Sequence, residues 1–237
     1  MLVDMHVHCY ELGDLAKYIG KVKLVCVSDD PVSSQATLKL QEKYKEVEAC
    51  VGVHPWVAHE YGTNAIKTML NEVIGKDSVK CLGEVGLDKK FKPNTFEKQL
   101  EVFAIFVEYA KEYDLVLNIH AADAWREVLE ILKTNDVSRA YFHWYTGPID
   151  VLEEIQSEGY FIGANPAWII QNKHRRILEI VNLNHVITES DAPYNYRGLE
   201  MTPDMVENTV KFLARTRNIS VSYVEEIVYR NYQALFK

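Results

Sequence analysis

The chain has 237 residues, of which 48% are hydrophobic and 25% are charged, so it can bury the core of one α/β barrel or of two smaller domains. Its formal net charge of −8 argues against a protein that holds nucleic acid by a broad basic surface, although bound cations could still attract one phosphate at a narrow site. The N-terminus lacks a signal-peptide pattern, and no apolar run reaches the roughly 18 residues that span a bilayer. Since no Pro/Gly/Ser-rich stretch divides the chain, we predict a single cytoplasmic domain over residues 1–237 with no membrane contact.

Apolar runs of strand length alternate with helical patterns along the whole chain. The first strand covers residues 1–8, and a short helix-compatible segment, 11–20, follows it. Further strands are predicted over residues 21–28, 47–53, 79–85, 115–119, 139–142, 160–163 and 186–189. Further helices are predicted over a run that Ser33 and Ser34 can cap and that ends near Tyr44, and then over residues 63–75, 94–113, 123–134, 149–158, 171–182, 202–217 and 220–235.

These elements form eight successive β-then-α units, and the strands are too apolar to have one face in water. Strands buried on both faces are typical of parallel sheets covered by helices. We therefore predict an α/β protein with a (β/α)8 TIM barrel, whose active site would lie at the C-terminal ends of the strands. A doubly wound open sheet is the alternative, but it would carry a Gly-rich phosphate turn after the first strand, and Cys9-Tyr10-Glu11 contains no glycine.

The four cysteines are widely spaced and include no CxxC pair. Three of them lie in apolar runs that read as strands. This pattern predicts reduced, buried thiols and neither a disulfide framework nor a zinc ribbon. The residues concerned are Cys9, Cys26, Cys50 and Cys81.

The first strand carries a pair of histidines. Side chains alternate along a strand, so His6 and His8 must point to the same face. A lone histidine on an apolar strand is usually a hydrogen-bonded core residue. Two neutral imidazoles on one face are instead what Zn²⁺, Mn²⁺ or Fe²⁺ prefer. The pair indicates half of a metal site, whose remaining ligands must come from distant residues.

Polar residues recur at the ends of the other strands, which a closed barrel would bring to one mouth. Five of the eight histidines of the chain occupy such positions, so separate core roles are a poor explanation for them. Nitrogen and oxygen donors in this number suffice for two divalent metals about 3.5–4 Å apart, bridged by a carboxylate. The candidates are His6, His8, His54, Glu84, His120, His143 and Asp191.

Six motifs in order resemble those of the TatD-type metal-dependent hydrolases, a deoxyribonuclease family of the amidohydrolase superfamily. They are DMHVH at 4–8, GVHPW at 52–56, GEVGLD at 83–88, NIHAADA at 118–124, FHWYTG at 142–147 and ESDAPY at 189–194. The resemblance implies that His6, His8 and Asp191 hold one metal, that His120 and His143 hold the second, and that Glu84 bridges them. Related barrels of the phosphotriesterase and dihydroorotase types bridge their metals with a modified lysine instead. The two divalent ions would be Zn²⁺, Mn²⁺, Co²⁺ or Mg²⁺.

The same resemblance implies an enzyme that hydrolyses ester bonds. We expect a phosphodiesterase or deoxyribonuclease that acts on DNA ends or small phosphodiesters through a metal-bridged hydroxide. Asp191 would be both ligand and proton acceptor, and Glu84 would hold the two ions together. The alternatives are a C–N or lactone hydrolase of the amidohydrolase type and a metal-binding protein without turnover. The expected partner is a nucleic acid or small phosphodiester substrate, and no obligate protein partner is evident.

The chain departs from the family pattern at three places. Ala122 stands where an arginine that could meet a substrate phosphate is common. Lys89 and Lys90 replace an aromatic pair, and a short segment, 195–201, follows ESDAPY. These changes leave the predicted metal ligands intact but bear on the substrate.

Other polar residues receive roles from their positions relative to the strand ends. We predict that His54 and Arg197 contact the substrate, that Asp4 orients an imidazole, and that His174 and His185 are structural or solvated. Arg126 and Lys133 read as the solvated face of a helix. A group of aromatic residues follows strand ends, where the rings could stack a base or a sugar or simply cover the core. These are Trp56, Trp144, Tyr145, Trp168 and Tyr194.

Overall fold

The computed structural model of the chain describes residues 1–74 and 79–237. Eight parallel strands form one sheet in which the spatial order follows the chain order. The fourth strand buries all eight of its residues, as expected for a sheet covered on both faces. The strands are β1 (Leu2–Val7), β2 (Val22–Cys26), β3 (Val47–Val51), β4 (Cys81–Asp88), β5 (Val116–Ala122), β6 (Ala140–Phe142), β7 (Phe161–Ala164) and β8 (Val186–Thr188).

The two ends of the sheet meet beside β1. The backbone N–H of His8 donates to the carbonyl oxygen of Ala192 at 2.8 Å, and the N–H of Asp191 donates to the carbonyl oxygen of His6 at 2.9 Å. The Thr188 hydroxyl donates to the Val3 carbonyl at 2.5 Å. These bonds join β1 to β8 and its following segment, so the sheet is a nearly closed barrel and the predicted fold is confirmed.

Helices surround the barrel in the predicted order. The last of them packs against both β1 and β8, across the seam of the sheet. The predicted end of the second helix at residue 75 lies outside the described residues. Among the described helices, none is long and apolar enough to cross a membrane. The helices are α1 (Pro31–Lys43), α2 (Thr63–Ile74), α3 (Phe96–Glu112), α4 (Trp125–Thr134), α5 (Ile149–Ser157), α6 (Asn172–Ile180), α7 (Met205–Arg217) and α8 (Val221–Leu235).

One local prediction was wrong, and a second was right for Ser33 but wrong for Ser34. The helix-compatible segment 11–20 contains only short 3-10 turns, because Gly13 interrupts it and glycine disfavours helix. At the start of α1 the N-cap is Asp30, ahead of the two predicted serines. Its carboxylate accepts the Ser33 N–H at 2.7 Å while the Ser33 hydroxyl accepts the Asp30 N–H at 2.9 Å, which is a capping box. Ser34 instead bonds to the Gly52 backbone beyond β3.

The cysteines are paired, so the prediction of reduced thiols was also wrong. Disulfides join Cys9 to Cys26 and Cys50 to Cys81. Cys50 and Cys81 are register partners on β3 and β4, with their Cα atoms 4.4 Å apart. Their separation of 31 residues along the chain concealed this proximity, since parallel pairing brings together residues on either side of a helix.

The segment 195–201 that follows β8 is a small hairpin. Its strands, β9 (Asn195–Tyr196) and β10 (Leu199–Glu200), pair antiparallel outside the barrel. The two turn residues, Arg197 and Gly198, have φ angles of 52° and 89°, the left-handed conformation that tight hairpin turns require. The Asn195 side chain accepts the Gly198 N–H at 3.0 Å. The hairpin therefore carries Arg197 at its tip.

Candidate metal centre

The C-terminal ends of the strands surround a cavity of about 580 Å³. It contains seven of the eight predicted site residues, and the eighth, His6, is fully buried directly behind it. The barrel therefore brings together residues that are up to 191 positions apart in the chain. The lining residues from this set are His8, His54, Glu84, His120, His143, Asp191 and Arg197.

Glu84 lies at the centre of the histidines. Its Oε1 is 2.8 Å from His120 Nδ1 and 3.4 Å from His54 Nε2. Its Oε2 is 3.3 Å from His6 Nε2 and 3.8 Å from His8 Nε2. Burial would raise the pKa of Glu84, but the electrostatic influence of the adjacent His54 and His6 rings and the hydrogen bond from His120 hold it well below its ordinary value. The carboxylate is thus ionised, and its two oxygens face two different pairs of imidazoles, as a bridging ligand requires.

Asp191 approaches the first pair from β8. Its Oδ1 is 3.4 Å from His8 Nε2 and 3.6 Å from His6 Nε2. The preceding residue, Ser190, is held by the buried Asp4 carboxylate, which accepts its N–H at 2.8 Å and its hydroxyl at 2.5 Å. The prediction that Asp4 orients an imidazole was therefore wrong: it fixes the chain that presents Asp191.

The His6 ring has a defined tautomer. The Asn118 amide nitrogen donates to the Met5 carbonyl at 2.8 Å, so its oxygen faces His6 Nδ1, also at 2.8 Å. Only an N–H can donate to that oxygen, which places the proton on Nδ1 and leaves the lone pair on Nε2. Among the described residues, this buried Nε2 has no hydrogen-bond partner. A buried lone pair of this kind is what a metal ion would satisfy.

His8 is oriented by Asp29, which follows β2. The His8 Nδ1 lies 3.5 Å from Asp29 Oδ2, and the Tyr10 hydroxyl donates to the same oxygen at 2.7 Å. The carboxylate charge favours a proton on Nδ1, so the Nε2 that faces Glu84 and Asp191 is the nitrogen at which a metal ion could replace a proton.

His120 and His143 have carboxylate partners of their own. His120 Nε2 donates to Asp88 Oδ2 at 2.9 Å, and its Nδ1 faces Glu84 Oε1 at 2.8 Å, where a metal ion could take the place of the second ring proton. His143 Nδ1 donates to Glu189 Oε2 at 3.1 Å, which leaves its lone pair on Nε2. The fully buried Glu189 also accepts the Trp144 N–H at 2.9 Å. Each ring is thus held in the tautomer of a metal ligand by an outer carboxylate.

His54 differs from these four histidines. Its Nδ1 accepts the backbone N–H of Trp56 at 3.2 Å. A nitrogen that accepts carries no proton, so the proton of the neutral ring is on Nε2. That N–H lies 3.3 Å from His120 Nδ1. In this tautomer His54 is a hydrogen-bond donor to the cavity and offers no lone pair to a metal there.

The carboxylates make the site attractive to cations. Burial alone would lower the pKa of His8, but its hydrogen bond to Asp191 and the surrounding carboxylate charges raise it to about 10. Burial is likewise outweighed by neighbouring carboxylates at His120 and His143, whose pKa values rise to about 9. The cluster therefore favours positive charge at its centre, which divalent ions can supply in place of protons.

A family model described as TatD related DNase matches residues 3–237. The chain belongs to this TatD family. It is 26% identical over 203 residues to an uncharacterized metal-dependent hydrolase of Methanocaldococcus jannaschii, across 84% of this chain and 79% of that protein. It is 26% identical over 260 residues to the deoxyribonuclease TATDN3 of Homo sapiens, across 99% and 94% of the two chains. The crystal structure of YJJV, a TatD homolog of Escherichia coli, has the same fold, with a TM-score of 0.89 at 21% identity over 99% of this chain and 97% of that one.

The geometry of this TatD-family metal-dependent hydrolase groups its donors in more than one way. His6, His8 and Asp191 lie close enough to share one ion, and their binding of that ion stays a prediction. His120 groups with Glu84 and His54, whereas His143 groups with His6 and Glu189. The joint binding of a second ion by His120 and His143 stays a prediction. The tautomer of His54 argues against a metal site made of His54, Glu84 and His120.

Sequence reasoning missed the residues that orient the TatD-family histidines. Asn118 and Asp88 were inside quoted motifs, two and four residues from a predicted ligand and thus on the same strand face. Glu189 opens ESDAPY, and Asp29 directly follows the second predicted strand. All four are polar residues at or near a strand end. The sequence prediction used this position only for histidines and for the two acidic ligands, Glu84 and Asp191.

The remaining predicted residues divide between the mouth and the exterior. Lys90 lines the cavity, whereas Lys89 pairs with Glu127 on α4. Arg126 pairs with Asp150 and Glu154, and Lys133 also pairs with Glu154. These contacts confirm that both residues lie on the outer face of the helix. The two histidines expected to be structural, His174 and His185, each hydrogen-bond a backbone carbonyl away from the cavity.

Proposed function

We propose that this TatD-family protein is a divalent-metal-dependent phosphodiesterase that acts on DNA ends or small phosphodiesters. The observation that carries the proposal is the common arrangement of four histidines, His6, His8, His120 and His143, at the mouth of the barrel. Each has one ring nitrogen facing an outer oxygen acceptor and leaves the other nitrogen for a cation, which would take the place of a proton there. The deoxyribonuclease name of the human relative supports a nucleic acid or related phosphodiester as the substrate.

The residues present fit two divalent ions. The partnerless His6 Nε2 and the excess of carboxylates both call for cations, and mixed imidazole and carboxylate donors suit Zn²⁺, Mn²⁺, Co²⁺ or Mg²⁺. We assign the ions as the family resemblance implies, with one set on β1 and β8, a second set on β5 and β6, and a bridge on β4. The ligands are His6, His8 and Asp191 for the first ion, His120 and His143 for the second, and Glu84 between them.

The protein's own groups then act on a bound phosphodiester. When bound, the ions would offset the negative charge of the phosphate and lower the pKa of a nearby water to about 7. Asp191, at the cavity surface, accepts the proton of the attacking water. The Nε2–H of His54 donates to a non-bridging phosphate oxygen, where charge develops in the transition state. Ala122 offers no positive charge to the substrate phosphate. Lys90 and Arg197, which line the same cavity, supply that charge instead.

A panel of substrates tests the reaction class. Protein reconstituted with each candidate metal is incubated with single-stranded DNA, a dinucleotide, a phosphomonoester and a lactone. We expect metal-dependent hydrolysis of the first two, abolished by a chelator and restored by the metal. Hydrolysis of the lactone alone would place the protein among the C–N and lactone hydrolases. Tight metal binding without any turnover would identify a metal-binding protein and would refute the proposal.

Substitutions separate the two carboxylate roles. Asp191→Asn should lower kcat far more than metal affinity, because an amide oxygen can ligate but cannot accept a proton. Glu84→Ala should lose metal first, since its carboxylate offsets the repulsion between the ions. Asp136→Asn, at a highly exposed aspartate, serves as the matched control. If Asp191→Asn keeps a near-wild-type kcat at saturating metal, Asp191 is not the base.

A further inference from the structure

The metal-binding role leaves one wall of the cavity unexplained. Trp144, Tyr194 and Tyr196 line this wall together with Arg197. None of the three rings belongs to the hydrophobic core, and Tyr194 is 47% exposed. Two other aromatics that follow strand ends behave differently: Tyr145 is fully buried, and Trp168 packs on the core. The rings of this wall therefore do not cover the core.

Hydrogen bonds fix the position of the Trp144 indole. Its Nε1–H donates to Gln171 Oε1 at 2.7 Å, and the Gln171 amide donates to the Tyr196 hydroxyl at 3.1 Å. The rings of Trp144 and Tyr196 meet nearly edge to face, with centroids 5.0 Å apart and an angle of 77°. Trp144 also follows the predicted ligand His143 directly in the chain. The aromatic wall is thus preorganised next to the centre where the phosphate would lie.

Arg197 adds an unneutralised positive charge to this wall. Its guanidinium lies 5.3 Å from the centre of the Tyr196 ring. Within the described ranges, no carboxylate lies within 4.0 Å of it, whereas Arg126 on the outer surface pairs with two. The chain has eight more acidic than basic side chains, so an unpaired arginine at the mouth fits an anionic group of the substrate.

We propose that Trp144, Tyr196 and Arg197 form a nucleotide-recognition subsite. The rings stack a base of the substrate, and the guanidinium contacts a phosphate adjacent to the scissile one. This inference rests on the proposed function and specifies its substrate as one with a nucleobase beside the cleaved bond. Base stacking on aromatic rings is tolerant of sequence, so the subsite selects nucleotides without selecting a particular base.

Equilibrium binding to metal-loaded protein tests the ring contribution without requiring turnover. Calorimetry compares thymidine 5′-monophosphate with 2-deoxyribose 5-phosphate, which has the same phosphate and no base. We expect the nucleotide to bind roughly 5- to 150-fold more tightly, the range that stacking on aromatic side chains provides. Tyr196→Ala should reduce this ratio severalfold, whereas Tyr196→Phe, which keeps the ring, should preserve most of it. Tyr223→Ala, at a tyrosine that is 50% exposed on α8, is the matched control.

A second ligand pair tests the arginine. Thymidine 3′,5′-bisphosphate should bind more tightly than the monophosphate, and Arg197→Ala should remove that advantage. Arg176→Ala, at an exposed arginine on α6, is the control and should keep it. Equal binding of the base-containing and base-free phosphates by the wild type would overturn the subsite and leave the proposed function standing. An unchanged ratio in Tyr196→Ala would do the same. If neither phosphate binds, the subsite and the proposed phosphodiesterase function both fail.

Discussion

His174 should make the stability of this protein depend on pH through a single buried ring. Its Nε2 accepts the Asn165 N–H at 2.9 Å, and its Nδ1–H donates to the Tyr145 carbonyl at 3.0 Å. Protonation would leave the ring with a second N–H aimed at another N–H. Burial lowers the pKa of His174 from 6.5 to about 4. The unfolded chain therefore binds this proton more readily than the folded protein does.

The sign and size of the effect follow from that difference. Because the folded pKa is the lower one, the contribution of His174 to stability is complete above pH 6.5 and is lost as the pH falls toward 4. One pKa unit corresponds to about 1.4 kcal/mol. Lowering the pH from 7.5 to 4.5 should therefore reduce the free energy of unfolding by about 2.5 kcal/mol through this ring.

Urea unfolding at these two pH values checks the prediction, with His174→Gln as the comparison. Glutamine can accept and donate as the neutral ring does but does not titrate. Both proteins are measured with a chelator present, so that metal binding does not contribute. The stability of the wild type relative to the variant should fall by about 2.5 kcal/mol at the lower pH. If the difference in unfolding free energy between the two proteins is the same at both pH values, the pKa of His174 is not lowered in the folded protein.

Three further outcomes follow from the site and its surroundings. Asn118→Ala should weaken metal binding about 10- to 100-fold, because His6 loses the oxygen that fixes its tautomer; a competitive metal titration measures this. Gly163→Ala should also weaken metal binding, because the added Cβ would lie 2.2 Å from an oxygen of Glu189, the carboxylate that orients His143. A Cβ added in Gly62→Ala would have no atom within 4 Å, so this control should match the wild type. Thiol titration of the denatured, unreduced protein should find no free cysteine, and four reactive thiols per chain would contradict the two disulfides.

Local sequence pattern determined the barrel and most of the candidate site. Side-chain alternation alone put His6 and His8 on one strand face. The succession of apolar strands and amphipathic helices then indicated a parallel barrel, whose strand ends converge wherever they occur in the chain. For this reason the sequence alone places Glu84, His120 and Asp191 at one mouth.

Hydrogen-bond and disulfide partners could not be predicted in this way. They depend on the distance and angle between segments that are remote in the sequence, and the local sequence pattern does not determine these. Asp4 shares a strand face with His6, yet its carboxylate turns to Ser190 across the barrel seam. Cys50 and Cys81 became neighbours only through the register of β3 with β4. The proton of His54 is likewise placed by one backbone N–H. Tertiary structure alone decided these contacts, since hydrogen bonds and disulfides require atoms to meet within a few tenths of an ångström.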